Sequence, residues 1–315
     1  MTKPVCSIII PSYNCREYLP VALNSIRVQN AGPLEILVLD DGSTDGSWDY
    51  LQLAKAEFPE LVTIRGGQLG PSEARNLLIS IAKSDLVAFL DADDYWWPDK
   101  LKRQITFHQE NPDVLFSFTD YLHVDMNGMT RGTAFEFWKP NTTPLISAPY
   151  HIIARPLELL IGCNLVGTST VMARTDALQN ANGFAKEMPS AEDWDLWLRL
   201  AAQGKVACSS AVTMSYLQRA GSLTTNRQAR LSAMRQIIER YESDVTPTMR
   251  HALHQALSRY YVALAEHHRA DQDFAQAAKS HLTALIAHPT PRLAKALAAD
   301  VLSFLGGQRA APVSE

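Results

Sequence analysis

The sequence predicts an α/β fold, a layered sheet with helices on its faces, followed by a C-terminal α-helical region. Three features carry that expectation. Short apolar runs rich in β-branched residues alternate with longer amphipathic segments through the N-terminal third of the chain, the pattern of buried strands joined by helices. Polar residues gather where successive apolar runs end, at Pro11–Asn14, Asp40–Ser43 and Asp91–Asp94. After Asn226, apolar residues recur at helical spacing almost to the end of the chain. With 315 residues, 46% of them hydrophobic, the chain can bury one large domain plus an appendage, expected as residues 1–225 and 226–315.

The elements follow in order. Val5–Ile10, apolar apart from Ser7 and ended by Pro11, reads as the first strand. Leu19, Leu23 and Ile26 give Tyr18–Val28 helical spacing. Glu35–Leu39 is the second strand, and Ser47–Phe58 a helix begun after the turn residues Asp41–Asp45. Leu61–Arg65, Ser72–Ile81 and Leu86–Leu90 continue as strand, helix and strand. A helix is expected from Pro98 to Asn111 and a strand over Val114–Thr119. Asp125–Pro149 has Gly, Pro, Asn and Thr without a period and reads as a long loop, a length that often marks a lid. Thr168–Ala173 is a strand, and Trp194–Ala202 a helix whose Leu196, Trp197 and Leu200 should face the core. In the tail, Arg259–His288 breaks at Asp271-Gln272-Asp273 and resembles one tetratricopeptide-like hairpin. One unit cannot build a solenoid, so helices packed on the sheet domain are expected, with a docking platform for a partner as the alternative.

A formal net charge of −4 gives no global attraction to nucleic acid or anionic lipid, so any membrane contact needs a local basic patch. Cys6, Cys15, Cys163 and Cys208 are scattered, without a C-x-x-C pair, which argues against a disulfide framework or zinc site and for a reducing cytoplasm. Neither a signal-peptide pattern nor a bilayer-length apolar run is expected to be present, so the protein is read as soluble or peripheral to a membrane.

In open α/β sheets ligands bind outside the carboxyl ends of the strands. Each polar cluster alone reads as a turn or cap, but three on one sheet edge read as a site. In Asp91-Ala92-Asp93, alternate residues leaving a strand can bring two carboxylates to one hard cation, with positions left for substrate phosphates. The same residues also suit a turn or cap before the Pro98 helix. Glu192, Asp193 and Asp195 open an amphipathic helix, where acids also complement the helix dipole.

Together Val5–Asn14, Val38–Asp45, Gly70–Asn76, Phe89–Asp94, Asn182-Gly183-Phe184 and Glu192–Arg199 resemble, in order and spacing, the motifs of family 2 glycosyltransferases with the GT-A fold. That fold is a Rossmann-like mixed sheet that binds nucleotide-diphospho-sugars. The resemblance covers residues 4–225 and stops short of the helical tail. It implies inverting, non-processive transfer of a hexose or N-acetylhexosamine from a nucleotide diphosphate, with UDP expected, to an acceptor hydroxyl in surface polysaccharide or glycolipid assembly. Pro11 and Tyr13 would line the base pocket, with Ser43 in the same nucleotide site and Asp41 accepting a hydrogen bond from the base. Arg75 would contact the nucleotide or diphosphate. Asp91 would lie by the ribose and metal, and Asp93 would ligate Mn2+ or Mg2+ directly. Asp193 would be the general base that takes the acceptor proton, and Asp195 the helix cap. The partners implied are a nucleotide-sugar donor and a saccharide or lipid-linked saccharide acceptor, not nucleic acid. Such an acceptor would place the enzyme in the cytoplasm or at the inner face of a membrane.

The chain departs from the family pattern at Tyr216-Leu217-Gln218-Arg219-Ala220-Gly221-Ser222. Members often carry Tyr-Arg-x-His-x-x-Ser there. Arg219 stands where the His could help bind metal; it can pair with a phosphate but cannot ligate a metal. The Gln-x-x-Arg-Trp signature of processive synthases is missing from this segment, which supports addition of one sugar per encounter. Trp96-Trp97 suits core packing or a sugar platform, and Trp138 is the better candidate for stacking on an acceptor. Two rival functions are a sugar nucleotidyltransferase and a degenerate transferase domain used as a scaffold. The first should carry a Gly-rich basic phosphate loop after the first strand, where only Arg16 is nearby. The intact Asp41, Asp91, Asp93 and Asp193 argue against the second.

Overall fold

The computed structural model describes residues 3–138, 149–188, 190–218, 226–243 and 245–309. The chain divides into two compact units, one made of Met1–Leu160, Asn164–Glu187 and Glu192–Ser222, the other of Ile161–Cys163, Met188–Ala191 and Leu223–Glu315. The first unit is built on one mixed sheet. Its strands are β1 (Cys6–Ser12), β2 (Leu34–Asp40), β3 (Leu61–Arg65), β4 (Leu86–Phe89), β5 (Tyr95–Trp96), β6 (Val114–Asp125), β7 (Thr130–Thr133), β8 (His151–Ile152), β9 (Met172–Arg174) and β10 (Lys205–Gln218). They run in the order β3-β2-β1-β4-β9-β6-β10-β5, with β7 added to β6 and β8 to β10. The first four strands are mutually parallel. β9 lies antiparallel between β4 and β6, and β10 pairs parallel with β6. The chain passes from β1 outward to β3 and returns on the other side of β1 as β4, which makes the β1–β4 edge a topological switch point, where ligands bind in such sheets.

Helices α1 (Leu19–Arg27), α2 (Ser47–Ala54), α3 (Pro71–Ile81) and α4 (Lys100–Glu110) connect the early strands. β1 and β2 are buried on both faces, with Ile8, Ile9, Ile10, Ile36 and Val38 fully covered, hence their unbroken apolar runs. The short helices α5 (Ala134–Trp138), α6 (Pro156–Gly162) and α7 (Thr175–Asn180) precede α8 (Glu192–Ala201). Leu196, Trp197 and Leu200 on α8 are all fully buried, as their spacing predicts. The Trp197 ring meets Phe89, Phe116 and Phe184 at centroid distances of 5.7, 5.4 and 5.9 Å.

Several expectations are corrected. Asp125–Pro149 is not one loop: β6 extends to Asp125, β7 returns along it, and α5 follows. Asp125 Oδ1 accepts from the Asn127 and Met129 amides and closes that hairpin, a side-chain turn that alternation alone does not reveal. Residues 139–148 of the proposed lid lie outside the described residues. Thr168–Ala173 begins as a 3-10 turn over Thr168–Thr170 before β9. β10 has no counterpart among the expected strands. Its register shifts around Val212, and such bulges destroy the period of two. Asp195 is not a helix cap: it lies inside α8 and pairs with Arg199 at 2.8 Å, one turn on.

The second unit includes α9 (Arg227–Arg240), α10 (Pro247–Ala270), α11 (Phe274–Ala287) and α12 (Pro291–Arg309). Asn226, Thr246 and Asp273 cap the first three by accepting from Ala229, Met249 and Gln276 amides. The break at Asp271-Gln272-Asp273 falls where the sequence places it. Asp300 on α12, almost fully buried, accepts from His281 Nδ1 of α11 at 2.6 Å and from Arg269 of α10, which ties three helices together.

Truncating Trp197 to Ala removes the ring that three phenylalanines share and should destabilise the first unit by about 3–5 kcal/mol, read as a shift of its chemical denaturation midpoint.

Candidate active site

The polar clusters lie at the carboxyl ends of β1, β2 and β4, as expected. The loops after β1 and β2 are laced together. Asn14 adopts φ 50°, a left-handed turn that Asn tolerates. Its amide donates to Ser43 Oγ at 2.8 Å, and its Oδ1 accepts from the Thr44 amide at 2.9 Å. Asp45 Oδ2 accepts from the Arg16 amide at 2.9 Å. Ser43 therefore holds the loop that carries Tyr13, whose ring is 52% exposed at the rim. Pro11 sits in β1 opposite Leu39.

Asp41 is buried, and its two oxygens accept from the Leu69 and Gly70 amides at 2.7 and 2.8 Å. Gly70 is the N-cap of α3, so Asp41 neutralises the positive end of the helix that carries Arg75. Gly66 must be glycine: a Cβ there would lie 2.7 Å from Asp41 Oδ1. Nearby, Ser12 Oγ and both Asp40 carboxylate oxygens are buried with no hydrogen-bond partner among the described residues.

Arg75 joins three elements. Its side chain is 7% exposed; Nη2 donates to Asp91 Oδ1 at 2.7 Å and Nη1 to Glu192 Oε1 at 3.0 Å. The guanidinium lies 5.2 Å from the Phe184 ring centroid. Burial disfavours its charge, but Asp91 and Glu192 outweigh burial and push its pKa up. The group assigned from sequence to the diphosphate thus spans the β4 loop and the start of α8. Glu192, its second partner, was read only as an acid at a helix start.

The loop after β4 is anchored by Asp94. The Asp91 amide donates to Ser169 Oγ at 3.0 Å, and that hydroxyl donates to Asp94 Oδ2 at 2.6 Å. Burial, then the charges of Asp91 and Asp93, hold the Asp94 carboxyl well above the usual range. Nothing in the sequence separates Asp94 from its neighbours; burial does. Trp96 is a core residue and Trp97 is half-buried: Trp96 Nε1 donates to the Ser169 carbonyl at 2.7 Å and Trp97 Nε1 to Ser215 Oγ at 3.0 Å. Trp138 packs edge-on against Phe137 at 5.3 Å. Arg219 lies outside the described residues.

Asp193 is in the first turn of α8. Just before that helix Ala191 has φ 58°, an uncommon backbone for a residue with a Cβ. Asp193 Oδ1 accepts from the Trp194 amide at 2.7 Å and Oδ2 from Thr168 Oγ1 at 3.0 Å. Burial first, then the neighbouring Glu192 charge, raise its pKa to about 6, with Arg75 opposing. A carboxylate so placed can take a proton near neutral pH. Thr168, which orients it, was missed because its hydroxyl looked like part of a strand.

A hard divalent cation suits the carboxylates massed after β4. Asp91 and Asp93 offer oxygen ligands, and their charges add to burial in raising the Asp94 carboxyl. No group of three His, Cys, Asp or Glu side chains arranged for a metal forms among the described residues, so substrate phosphates would have to complete the coordination.

Residues 7–171, just over half of the chain, match the model of glycosyl transferase family 2. The Glu192-Asp193 pair lies beyond that stretch. The chain is 28% identical over 228 residues to an Escherichia coli protein named UDP-Glc:alpha-D-GlcNAc-diphosphoundecaprenol beta-1,3-glucosyltransferase WfaP, covering 70% of this chain and 80% of that one. It is 39% identical over 127 residues to TuaG of Bacillus subtilis (strain 168), provisionally assigned as a teichuronic acid biosynthesis glycosyltransferase, covering 40% of this chain and half of TuaG. Among solved structures, S. aureus TarS 1-349 in complex with UDP-GlcNAc aligns with a TM-score of 0.65 at 20% identity over 95% of this chain and 89% of TarS 1-349. The Pyrobaculum calidifontis mannosyltransferase PcManGT, in complex with GDP-Man and Mn2+, aligns at 0.63 and 18% identity over 97% of this chain and 81% of its own. The mixed sheet with its C-terminal helical region is the GT-A fold, and the chain belongs to glycosyl transferase family 2.

Proposed function

We propose that this glycosyltransferase moves a sugar, with inversion, from a UDP-linked donor to a hydroxyl of a lipid-linked saccharide in surface polysaccharide or glycolipid assembly. The observation that carries this reading is the chain of ionic contacts from Asp91 through Arg75 to Glu192, next to an Asp193 carboxyl held near 6. It supports a proton acceptor beside the carboxylates of the strand-end site. The UDP donor and lipid-linked acceptor follow the name of WfaP. That acceptor places the reaction at a membrane surface, and no helix among the described residues is long and apolar enough to cross one.

The acceptor oxygen attacks the anomeric carbon as its proton passes to Asp193, and the bond from that carbon to the diphosphate breaks with its electrons leaving on the diphosphate. Thr168 holds one Asp193 oxygen, leaving the carboxylate oriented through the transfer. Asp93, with Asp91, would hold Mn2+ or Mg2+, which supplies positive charge to the departing diphosphate. Arg75 fixes Asp91 for that task. Tyr13, exposed at the rim, would stack on the base, with Pro11 and Asp41 beside it; Arg219 would add charge near the diphosphate. A nucleotidyltransferase is disfavoured because the β1–α1 loop has Asn14 and Arg16 tied to the β2 loop in place of a Gly-rich phosphate cradle.

Asp193→Asn should lower kcat by about 10²–10⁴-fold while leaving UDP affinity unchanged, measured as UDP release with a lipid-linked acceptor; retained turnover would overturn the base assignment. Asp193 accepts a proton only when ionised, so kcat/KM should fall as pH drops through about 6, close to tenfold per unit below it. Because the Arg75 charge lowers the Asp193 pKa, Arg75→Met should move this acid limb to higher pH in a protein whose circular dichroism shows it folded.

A further inference from the structure

The α11–α12 hairpin exposes apolar side chains that its own packing does not need. Ile286 is 75% exposed and Leu282 47%; on α12, Leu302 is 70%, Leu305 49% and Val301 40% exposed. Ala294, Ala298, Val301 and Leu305 recur at i, i+4, i+7 and i+11, so they form one stripe along the helix, about 120° around it from the buried Leu293 and Asp300, and the exposed Leu302 flanks that stripe on its far side.

Charge is segregated on the same segment. Between Phe274 and Gly306 the cations are Lys279, Arg292 and Lys295, all exposed. The single acid in that span, Asp300, is buried and shared by His281 and Arg269. A hairpin with exposed leucines and no exposed carboxylate stands out in a chain whose net charge is −4. The pattern is that of a helix lying in a lipid interface, with its apolar face among acyl chains and its cations at anionic headgroups.

Size separates this from an interface with a second copy. At 1.5 Å per residue and a width of about 10 Å, the stripe on α12 covers about 200 Å², against the ~800 Å² that each partner contributes to a stable complex. Shallow insertion of one helical face needs no more than that.

We propose that the α11–α12 hairpin is a peripheral membrane-binding element that docks on anionic bilayers through Leu302, Leu305 and Ile286, with Lys295 and Arg292 facing lipid phosphates. It deepens the reading of a lipid-linked acceptor by naming the surface involved. The test contains neither donor nor acceptor, so binding and catalysis fail separately.

The experiment is flotation of the full chain with vesicles of phosphatidylcholine and phosphatidylglycerol, and with phosphatidylcholine alone. Binding is expected to the anionic vesicles and to weaken with added salt. Leu302→Glu with Leu305→Glu should lower the partition coefficient at least about tenfold, and Lys295→Glu by about fivefold or more. The Leu302→Ala, Leu305→Ala pair preserves helix propensity and should weaken binding in the same direction, which guards against misfolding of the glutamate variant. Absent binding, or equal binding by folded variants, would overturn the proposal. So would a dimer in light scattering that dissociates in the Leu302, Leu305 variants, since that gives the face to a second copy.

Discussion

Arg75 lies buried between Asp91 and Glu192, and the arrangement of the site depends on that ion bridge. A cation this deep costs desolvation energy that two carboxylates offset, so the bridge adds little net stability compared with an apolar replacement. Its effect is positional. The two carboxylates come from the loop after β4 and from α8, and one planar guanidinium reaches both with separate nitrogens. Asp41 supports the same device from the other side, because it holds the Leu69 and Gly70 amides that lead into the helix on which Arg75 is carried. Removing Arg75 would leave two carboxylates facing each other, and it would also remove a charge that restrains the Asp193 pKa.

This coupling explains why carboxylates with the same chemistry behave differently. Asp94 is buried, accepts from Ser169, and is pressed toward its protonated form by Asp91 and Asp93. Asp193 is raised more modestly, because Arg75 opposes burial and Glu192. Asp195, two positions along, pairs with Arg199 inside the helix and serves packing. Environment rather than residue type separates the anchor, the proposed proton acceptor and the structural ion pair.

The parallel strands and their intervening helices were legible because burial on both faces writes a continuous apolar run, as in Ile8–Ile10 and Ile36–Leu39. The strand-end clusters were legible because strand ends in such a sheet share one edge. β10 was not, since its shifts around Val212 interrupt the alternation that marks a strand. The β7 hairpin does carry Asn127-Gly128 at its tip, with Gly128 at φ 77°, a hairpin signal; it was missed because Thr130–Thr133 is a short polar strand with no apolar alternation to mark it. Thr168, Glu192 and Asp94 could not be ranked from sequence, because their roles arise from contacts with residues 25, 117 and 75 positions away. Asp195 looked like a cap for the reason that acids favour helix starts, but the helix begins three residues earlier.

The central claim is that the strand-end carboxylates and the Tyr13–Asp41 rim form one nucleotide-diphosphate site that uses a divalent cation. Isothermal titration of UDP into the protein, with and without Mn2+, tests it most directly. The account predicts UDP binding that depends on Mn2+ and is lost in Asp93→Ala; metal-independent binding, or no binding by the folded protein, would contradict it.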